Sequence, residues 1–594
     1  MDIRHRVPAP AGVRAARDLL ARLRPWPAAL LWALRTAPAR RRLRAAVPGL
    51  RRVTFGATRL YGSTVTGYTA ADAVETDLER VCSLLEELGV PYFLVPADHG
   101  HSAPRQVVGV EETYRDAVLA RAAHRLAGTC GYVGAVGPDG AVTTAVLWAD
   151  GRLPRALGRA AVLRTGTVRL GPCGQVLTGL EAGCDIEFWR PGRELGADPS
   201  WLTVPGGRLP DVFGPALVAP RRNPVSEVLP PAARRPAAVT RRRRSVPTFE
   251  PFAEPGIDEV CFPVDAVYTW VDGDDPALAA KRRAYRALSG GLIAPRETGA
   301  SRYTSHDELR YALRSLEMYA GFVRRVYLVT DSQVPAWLDP DAEGLTVVDH
   351  REILPPDALP VFNSHAIESR LHHIPGLSEH YLYFNDDVFI NRPVAAEHFF
   401  HGNGIARIPL SPLKLGVGAP HPLDPAPNSA GKNAREVVRR FHGRYPTHKS
   451  LHTPHPQLLS VMREMEDLGI AELERTSYSR FRSVADVAPA STLHHHWAIA
   501  TGRAVPADYR FRYVQLGTPD MRRRLARLAA GEDVDFFCLN DVDTTEAARP
   551  GARSALQGFL EQKYPFPSRF EAAPRPVTPL TAARPPRPEP QLRD

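Results

Sequence analysis

The chain has 594 residues, 75 basic and 65 acidic side chains, a net charge of +10, and 44% hydrophobic and 24% charged residues. This is ordinary globular composition. It excludes a collagen-like or disordered polymer and a small disulfide scaffold, and it predicts two to four domains, each long enough to bury its own core. Only Lys281, Lys414, Lys432, Lys449 and Lys563 accompany the many arginines, so GC-rich codon bias explains the basic surplus more simply than an anionic partner. No nucleic-acid motif with interleaved aromatics is present, and nucleic acid is not expected as a partner. Cys82, Cys130, Cys173, Cys184, Cys261 and Cys538 are scattered, which favours reduced thiols in a cytoplasmic protein over disulfides or zinc.

Residues 1–50 are basic and helix-prone. The run Ala28–Leu34 is too short to span a bilayer, which takes roughly 20 apolar residues, and it lacks a signal-peptide cleavage site. With arginines on both sides it reads as a solvated helix. The alternative is a helix lying on an anionic membrane surface, a peripheral contact at the inner face of the plasma membrane. Residues 51–217 read as a small α+β domain of unassigned role. Asp77–Leu88 carries helical apolar spacing, Val90–Val95 reads as a strand, and Ala141–Trp148 as a later one. Residues 218–255, rich in Pro and Arg and centred on Arg241–Arg244, read as a linker. Residues 572–594 read as a disordered Pro-rich tail.

Residues 256–571 differ. Three apolar runs each end in acids. Val264–Val271 leads into Asp272, Asp274 and Asp275; Arg325–Thr330 leads into Asp331; and Tyr381–Phe384 leads into Asn385, Asp386 and Asp387. A helix from Asp307 to Tyr319 lies between the first two, giving the βαβ unit of an α/β sheet. Ligands of such sheets bind beyond the carboxyl ends of the strands, so these acids gather on the functional edge.

Two adjacent carboxylates at the end of a buried strand are costly unless a cation or hydrogen bonds neutralise them. Asp386 and Asp387 therefore suit a hard ion, Mg²⁺ or Mn²⁺, shared with substrate phosphates. A plain Asn-Asp-Asp turn is the alternative. Asp272–Pro276 is a turn in which Gly273 lets the chain pass close to a ligand or simply reverse. His452 and His455 precede a helix read from Gln457 to Leu468, and on spacing alone either is a candidate base. His494–His496 resembles a metal tract, but three consecutive side chains do not face one point. Arg482 has the planar fork suited to phosphate, with an exposed arginine as the bland reading.

These segments, in this order, resemble the Stealth family of capsular and exopolysaccharide phosphotransferases. The resemblance runs through Asp265–Gly273, Ser301–Ser315, Val326–Gln333, Asn363–Glu368, Tyr383–Asp387, His452–His455 with Arg482 and Asp486, and Cys538–Asp541, over about residues 263–545. It implies a Rossmann-like nucleotide-sugar transferase domain behind a smaller α+β domain. It also implies a UDP-sugar donor, a polysaccharide or glycan acceptor, and transfer of a sugar 1-phosphate with release of UMP; the alternatives are a metal-dependent glycosyltransferase that releases UDP and a non-catalytic polyanion-binding protein. On this resemblance Asp386 and Asp387 hold the divalent ion. Asp272, Gly273 and Asp274 line the donor, His452 is the base, and Arg482 stabilises the transferring phosphoryl. Arg302, Asp307, Arg314, His365, Glu368, Asn540 and Asp541 shape the donor and acceptor pockets.

Overall fold

The computed structural model describes residues 26–55, 58–97, 105–195, 214–242, 244–288, 303–421, 424–541, 544–545 and 548–573. Arg302 and most of the Pro-rich tail lie outside the described residues, as do Arg22 and Arg24.

Helix α1 (Trp26–Ala46) docks on the N-terminal unit. The Arg40 guanidinium donates to both carboxylate oxygens of Asp150, at 2.7 and 2.8 Å, and Leu43 is buried. Strands β1 (Leu50–Phe55) and β2 (Thr58–Thr64) form an antiparallel pair. Helix α2 (Ala70–Glu87) starts seven residues before the predicted helix because Thr69 caps it, its hydroxyl accepting the Asp72 N–H at 3.0 Å. Val74, Leu78, Val81 and Leu85, spaced by three and four, are its buried face. It covers a sheet built from β3 (Tyr92–Val95), β4 (Val107–Glu111), β5 (Gly131–Val136), β6 (Val142–Leu147), β7 (Val162–Thr167) and β8 (Cys184–Pro191). The strand order is β3-β4-β8-β7-β5-β6, parallel only between β4 and β8.

The segment read as a linker is folded. Strands β9 (Pro236–Arg241) and β10 (Arg244–Phe249) form a hairpin in register from Pro236↔Phe249 to Arg241↔Arg244. Val246 enters the N-terminal core, and Thr248 Oγ1 donates to the Leu94 carbonyl at 2.6 Å. Arg242 and Arg244 pair with Asp72 and Glu86 of α2, so the arginine run pins a turn. Phe252 packs with Phe93 and Trp189. The correction has a simple cause. Pro236 and Pro247 sit at exposed positions of the hairpin, while alternate residues of β10 face inward, a period-two pattern hidden by the proline and arginine content.

In the C-terminal unit β11 (Val264–Thr269) is followed by α3 (Pro276–Leu288), α4 (Glu308–Tyr319), β12 (Val323–Thr330) and β13 (Leu345–Asp349). Then come β14 (His380–Asn385), β15 (Val388–Ile390), β16 (His455–Leu458) and α5 (Leu459–Asp467). The sheet order is β13-β12-β11-β14-β16, all parallel except β16. Every residue of β11 is buried, as expected of a central parallel strand covered on both faces. The helix read from Gln457 begins only at Leu459, because Gln457 pairs with Tyr381 of β14 and is drawn into the sheet.

A second sheet follows from the turn after β14. β15 pairs with β18 (Phe536–Asn540), which pairs with β17 (Phe511–Gln515). Asp386 and Asp387 are the two residues between β14 and β15, so they stand where the two sheets meet. The two units share one core. Tyr68, Ala70 and Ala73 belong to the cluster that contains Leu316 and Tyr319 of α4, and the Tyr68 and Tyr319 rings meet edge to face at 6.3 Å.

Candidate active site

A cleft of about 240 Å³ opens at this junction. Asp387 is its most connected acid. Its Oδ1 lies 3.2 Å from His452 Nε2, and its Oδ2 accepts from Asn540 Nδ2 at 2.9 Å and from Cys538 Sγ at 3.3 Å. His452 stands on the loop leading into β16, and Asn540 ends β18. Arg482 lies on a loop shaped by Asp486, whose Oδ2 accepts from the Ser483 N–H at 2.8 Å and from Asn363 Nδ2 at 2.9 Å. The Arg482 Nη2 donates to Ser364 Oγ at 2.9 Å. From α4 comes Glu308, a buried carboxylate that accepts the His306 N–H at 2.5 Å, while His306 Nε2 contacts Asp541 Oδ2 at 2.9 Å.

The electrostatics follow from crowding. Burial, then the neighbouring Asp387 charge, pushes Asp386 up from the ordinary carboxylate range. Burial, then Asp386, pushes Glu308 up as well. Burial acts on Asp387 too, but the His452 charge and the bonds from His452, Asn540 and Cys538 hold it below its usual value. Burial alone would lower His452, yet the facing Asp387 and Glu368 lift it. Glu368 is raised by burial to about 7, against the pull of Arg482. The result is a graded set of acids around one imidazole and one guanidinium, the arrangement in which proton transfer and anion binding are tuned together.

Of the residues expected at the site, Asp386, Asp387, His452, Arg482, Asn540 and Asp541 line the cleft. Asp272, Gly273 and Asp274 follow the lining residue Val271. The Asp272 N–H donates to Gln333 Oε1 at 3.0 Å, and Asp274 is exposed. Gly273 is needed for a different close approach from the one its sequence suggested. Its N–H donates to the Tyr303 carbonyl at 2.7 Å, and an added Cβ would fall 2.2 Å from that oxygen. Asp307 precedes α4 at φ +64°; its flanking residues His306 and Glu308 are the ones bonded around the cleft. Glu368 lies one layer behind, at 3.4 Å from the Tyr383 hydroxyl. His365 is buried on the short helix Ser364–Glu368.

Arg314 is the clear departure. Its guanidinium donates to both oxygens of Glu571, at 2.6 and 2.8 Å, and to the Tyr564 carbonyl at 3.0 Å. It anchors the end of the domain and is not among the residues lining the cleft. His455 faces the interior on β16, stacked on Tyr383, and burial holds it down to about 3. Geometry therefore separates it from His452. His494, His495 and His496 are all buried, and His494 Nε2 accepts the Leu458 N–H at 2.8 Å, so the triplet packs the interior.

Glu308, Cys538 and His350 stand at the cleft without a site role having been expected of them from the sequence. Glu308 sits in the first helical turn, where an acid is expected for capping alone. His350 follows β13, a short strand of only five residues whose edge position the sequence does not reveal. Ligand atoms of Asp387, His452 and Cys538 lie within 4.8 Å of one another, as do those of His372, His373 and Glu466 elsewhere, where Arg370 also pairs with Glu466. The Asn540 Oδ1 is buried without a hydrogen-bond partner, an acceptor left over beside the acids.

Comparison with known proteins bears on what such a cleft does. Models of Stealth protein conserved regions 1, 2, 3 and 4 match residues 262–290, 302–408, 451–499 and 527–580. An exopolysaccharide phosphotransferase of Streptomyces coelicolor is 44% identical over 502 residues, covering 84% of this chain and 82% of its own. This chain belongs to the Stealth family. A second exopolysaccharide phosphotransferase of that organism is 38% identical over 537 residues, 85% of each chain. The exopolysaccharide phosphotransferase CpsY of Mycobacterium tuberculosis is 37% identical over 326 residues, 55% of this chain and 61% of its own. The Stealth chain described here is accordingly a transferase of phosphorus-containing groups. Its conserved regions contain every cleft residue named above, and the Streptomyces matches are long enough to reach into the N-terminal unit. No helix among the described residues is long and apolar enough to cross a membrane.

Proposed function

We propose that this phosphotransferase moves a sugar 1-phosphate from a UDP-sugar to a hydroxyl of an exopolysaccharide acceptor and releases UMP, with Mg²⁺ or Mn²⁺ in the cleft. One juxtaposition carries the reading: His452 Nε2 lies 3.2 Å from Asp387 Oδ1 in a cleft that also contains Arg482 and the strand-end acids. The names of the relatives supply the polymer class.

His452 takes the proton of the acceptor hydroxyl at Nδ1, while Asp387, facing Nε2, orients the ring and stabilises the imidazolium that forms. The hydroxyl oxygen bonds to the β-phosphorus. The bond from that phosphorus to the bridging oxygen breaks, and the bridging oxygen leaves with UMP. The bond between the anomeric carbon and its oxygen is untouched, so configuration is kept. Arg482, steadied by Ser364, sits against charge on the transferring phosphoryl, where a fixed guanidinium is most effective.

The residues fit a hard dication. Asp386, Asp387 and Glu308 crowd negative charge into one buried place, and Asn540 Oδ1 adds a neutral oxygen with no other partner. When bound, such an ion neutralises diphosphate charge.

The test is purified protein with UDP-sugars, Mg²⁺ or Mn²⁺ and acceptor glycan, followed by nucleotide chromatography. UMP formation that stops on chelation supports the proposal. UDP formation means the sugar moves without its phosphate and overturns it. Absence of both nucleotides across donors and metals overturns the donor assignment.

A further inference from the structure

The cleft extends past the acids. Along the carboxyl edge of the sheet, Asp386 follows β14, Trp270 follows β11, Asp331 follows β12 and His350 follows β13, and all four line the same cleft. Neighbouring strands stand about 4.8 Å apart, so His350 lies roughly 14 Å from the acids, three strands along. Beside β11 the wall is apolar, with Trp270, Val271 and Leu278, and it stands between the carboxylates and the end formed by Asp331 and His350. A charged end, an apolar wall and a polar group beyond it match the diphosphate, the ring face and the ring edge of a nucleoside diphosphate.

His350 is the imidazole beyond that apolar wall. It lines the cleft, is 4% exposed, and both Nδ1 and Nε2 are buried without a hydrogen-bond partner. A buried imidazole with two unmet nitrogens costs free energy that a ligand hydrogen bond recovers. Burial holds the ring well below its usual value, with Asp331 and Asp349 opposing and Lys281 assisting. It is therefore neutral near pH 7 and offers one donor and one acceptor. Asp331 is occupied by Lys281 Nζ at 2.7 Å, and Asp349 by Ser332 Oγ at 2.7 Å and by Arg351.

We propose that His350 is the nucleobase-reading residue of the donor site, hydrogen-bonding the polar edge of a uracil that lies against Trp270. This rests on the nucleotide-sugar reading of the cleft. It adds the end at which the donor's base is recognised.

The experiment measures binding of UDP and of inorganic pyrophosphate to the full chain with Mn²⁺ by calorimetry, for wild type, His350→Phe and His350→Gln, each checked for an unchanged melting curve. Phe keeps the ring volume and removes both nitrogens, whereas Gln keeps a donor and an acceptor. The expected result is a 10- to 30-fold loss of UDP affinity in His350→Phe, partial recovery in His350→Gln, and pyrophosphate affinity equal in all three. UDP affinity in His350→Phe within twofold of wild type overturns the proposal, and so does an equal loss for pyrophosphate. Should wild type bind neither probe, the nucleotide-donor reading itself falls. Should it bind both and His350→Phe behave alike, only the role of His350 falls.

Discussion

Replacing Gly273 by Ala tests whether the β11 turn and Tyr303 form one wall of the site. An ideal Cβ at 273 lands 2.2 Å from the Tyr303 carbonyl oxygen and 2.3 Å from Tyr303 Cβ, where 3.0 Å is the practical limit, so one segment must retreat by about 0.8 Å. The retreat strains the Gly273 N–H bond to Tyr303, at 2.7 Å. It also disturbs the Tyr303 hydroxyl bond to the Phe362 carbonyl, at 3.0 Å, and the stacking of Arg282 at 4.1 Å. Overpacking of this kind costs about 1–3 kcal/mol of stability. A displacement near 1 Å in a positioning wall costs up to about 100-fold in rate, or roughly 2.7 kcal/mol in the barrier. The assay is the initial rate of nucleotide release against donor concentration, beside a circular dichroism melt. The expected outcome is a folded variant whose kcat/KM for donor falls by about 30- to 100-fold. Shortening Tyr303 to Ala in the same chain does not rescue it, because the clashing carbonyl is backbone. A Gly273→Ala variant with kcat/KM and melting temperature both at the wild-type level refutes the coupling.

Three further expectations follow from the same geometry. Asp387→Asn keeps the side-chain shape but removes the charge facing His452, so turnover drops by about 10⁴-fold while the melt stays within a few degrees, and substantial residual turnover refutes the role. Glu571→Ala strands Arg310 and Arg314, which donate to it at 2.6–2.8 Å, and costs about 3–5 kcal/mol in urea unfolding, whereas a loss below about 1 kcal/mol would show the pair to be loosely held. His494, held by burial down to about 3, stays neutral in the folded chain while the unfolded chain takes up a proton below about 6.5. Its contribution is complete above that value and is lost as pH falls toward 3. The stability difference between wild type and His494→Gln therefore shrinks by up to about 1.4 kcal/mol per pH unit below 6.5, and a pH-independent difference contradicts it.

Much of this architecture is legible because strands buried on both faces write themselves as mostly apolar runs, as in Val264–Thr269, broken by the buried Asp265, and Tyr381–Phe384. The acids after them mark the carboxyl edge by position alone. What stayed hidden depended on partners distant in sequence. Arg314 sits in a motif crowded with functional residues, and its true partner, Glu571, lies 257 positions away. His452 and His455 differ by three residues, yet only pairing of β16 with β14 turns one toward the cleft and the other inward. The hairpin of β9 and β10 was masked because composition speaks of average behaviour, whereas a single buried Val246 on an alternating strand is enough to bind it to a core.

The edge-to-face meeting of Tyr68 and Tyr319 bears on how this enzyme is to be handled. A fragment beginning at residue 256 would carry every candidate site residue but leave a bare apolar facet on the helix that presents Glu308. Such a fragment is a candidate for precipitation, and low yield from it would say nothing about the chemistry. The N-terminal third is thus a fixed flank of the active-site scaffold, and changes at Tyr68, Ala70 or Ala73 are expected to be felt in turnover through that helix.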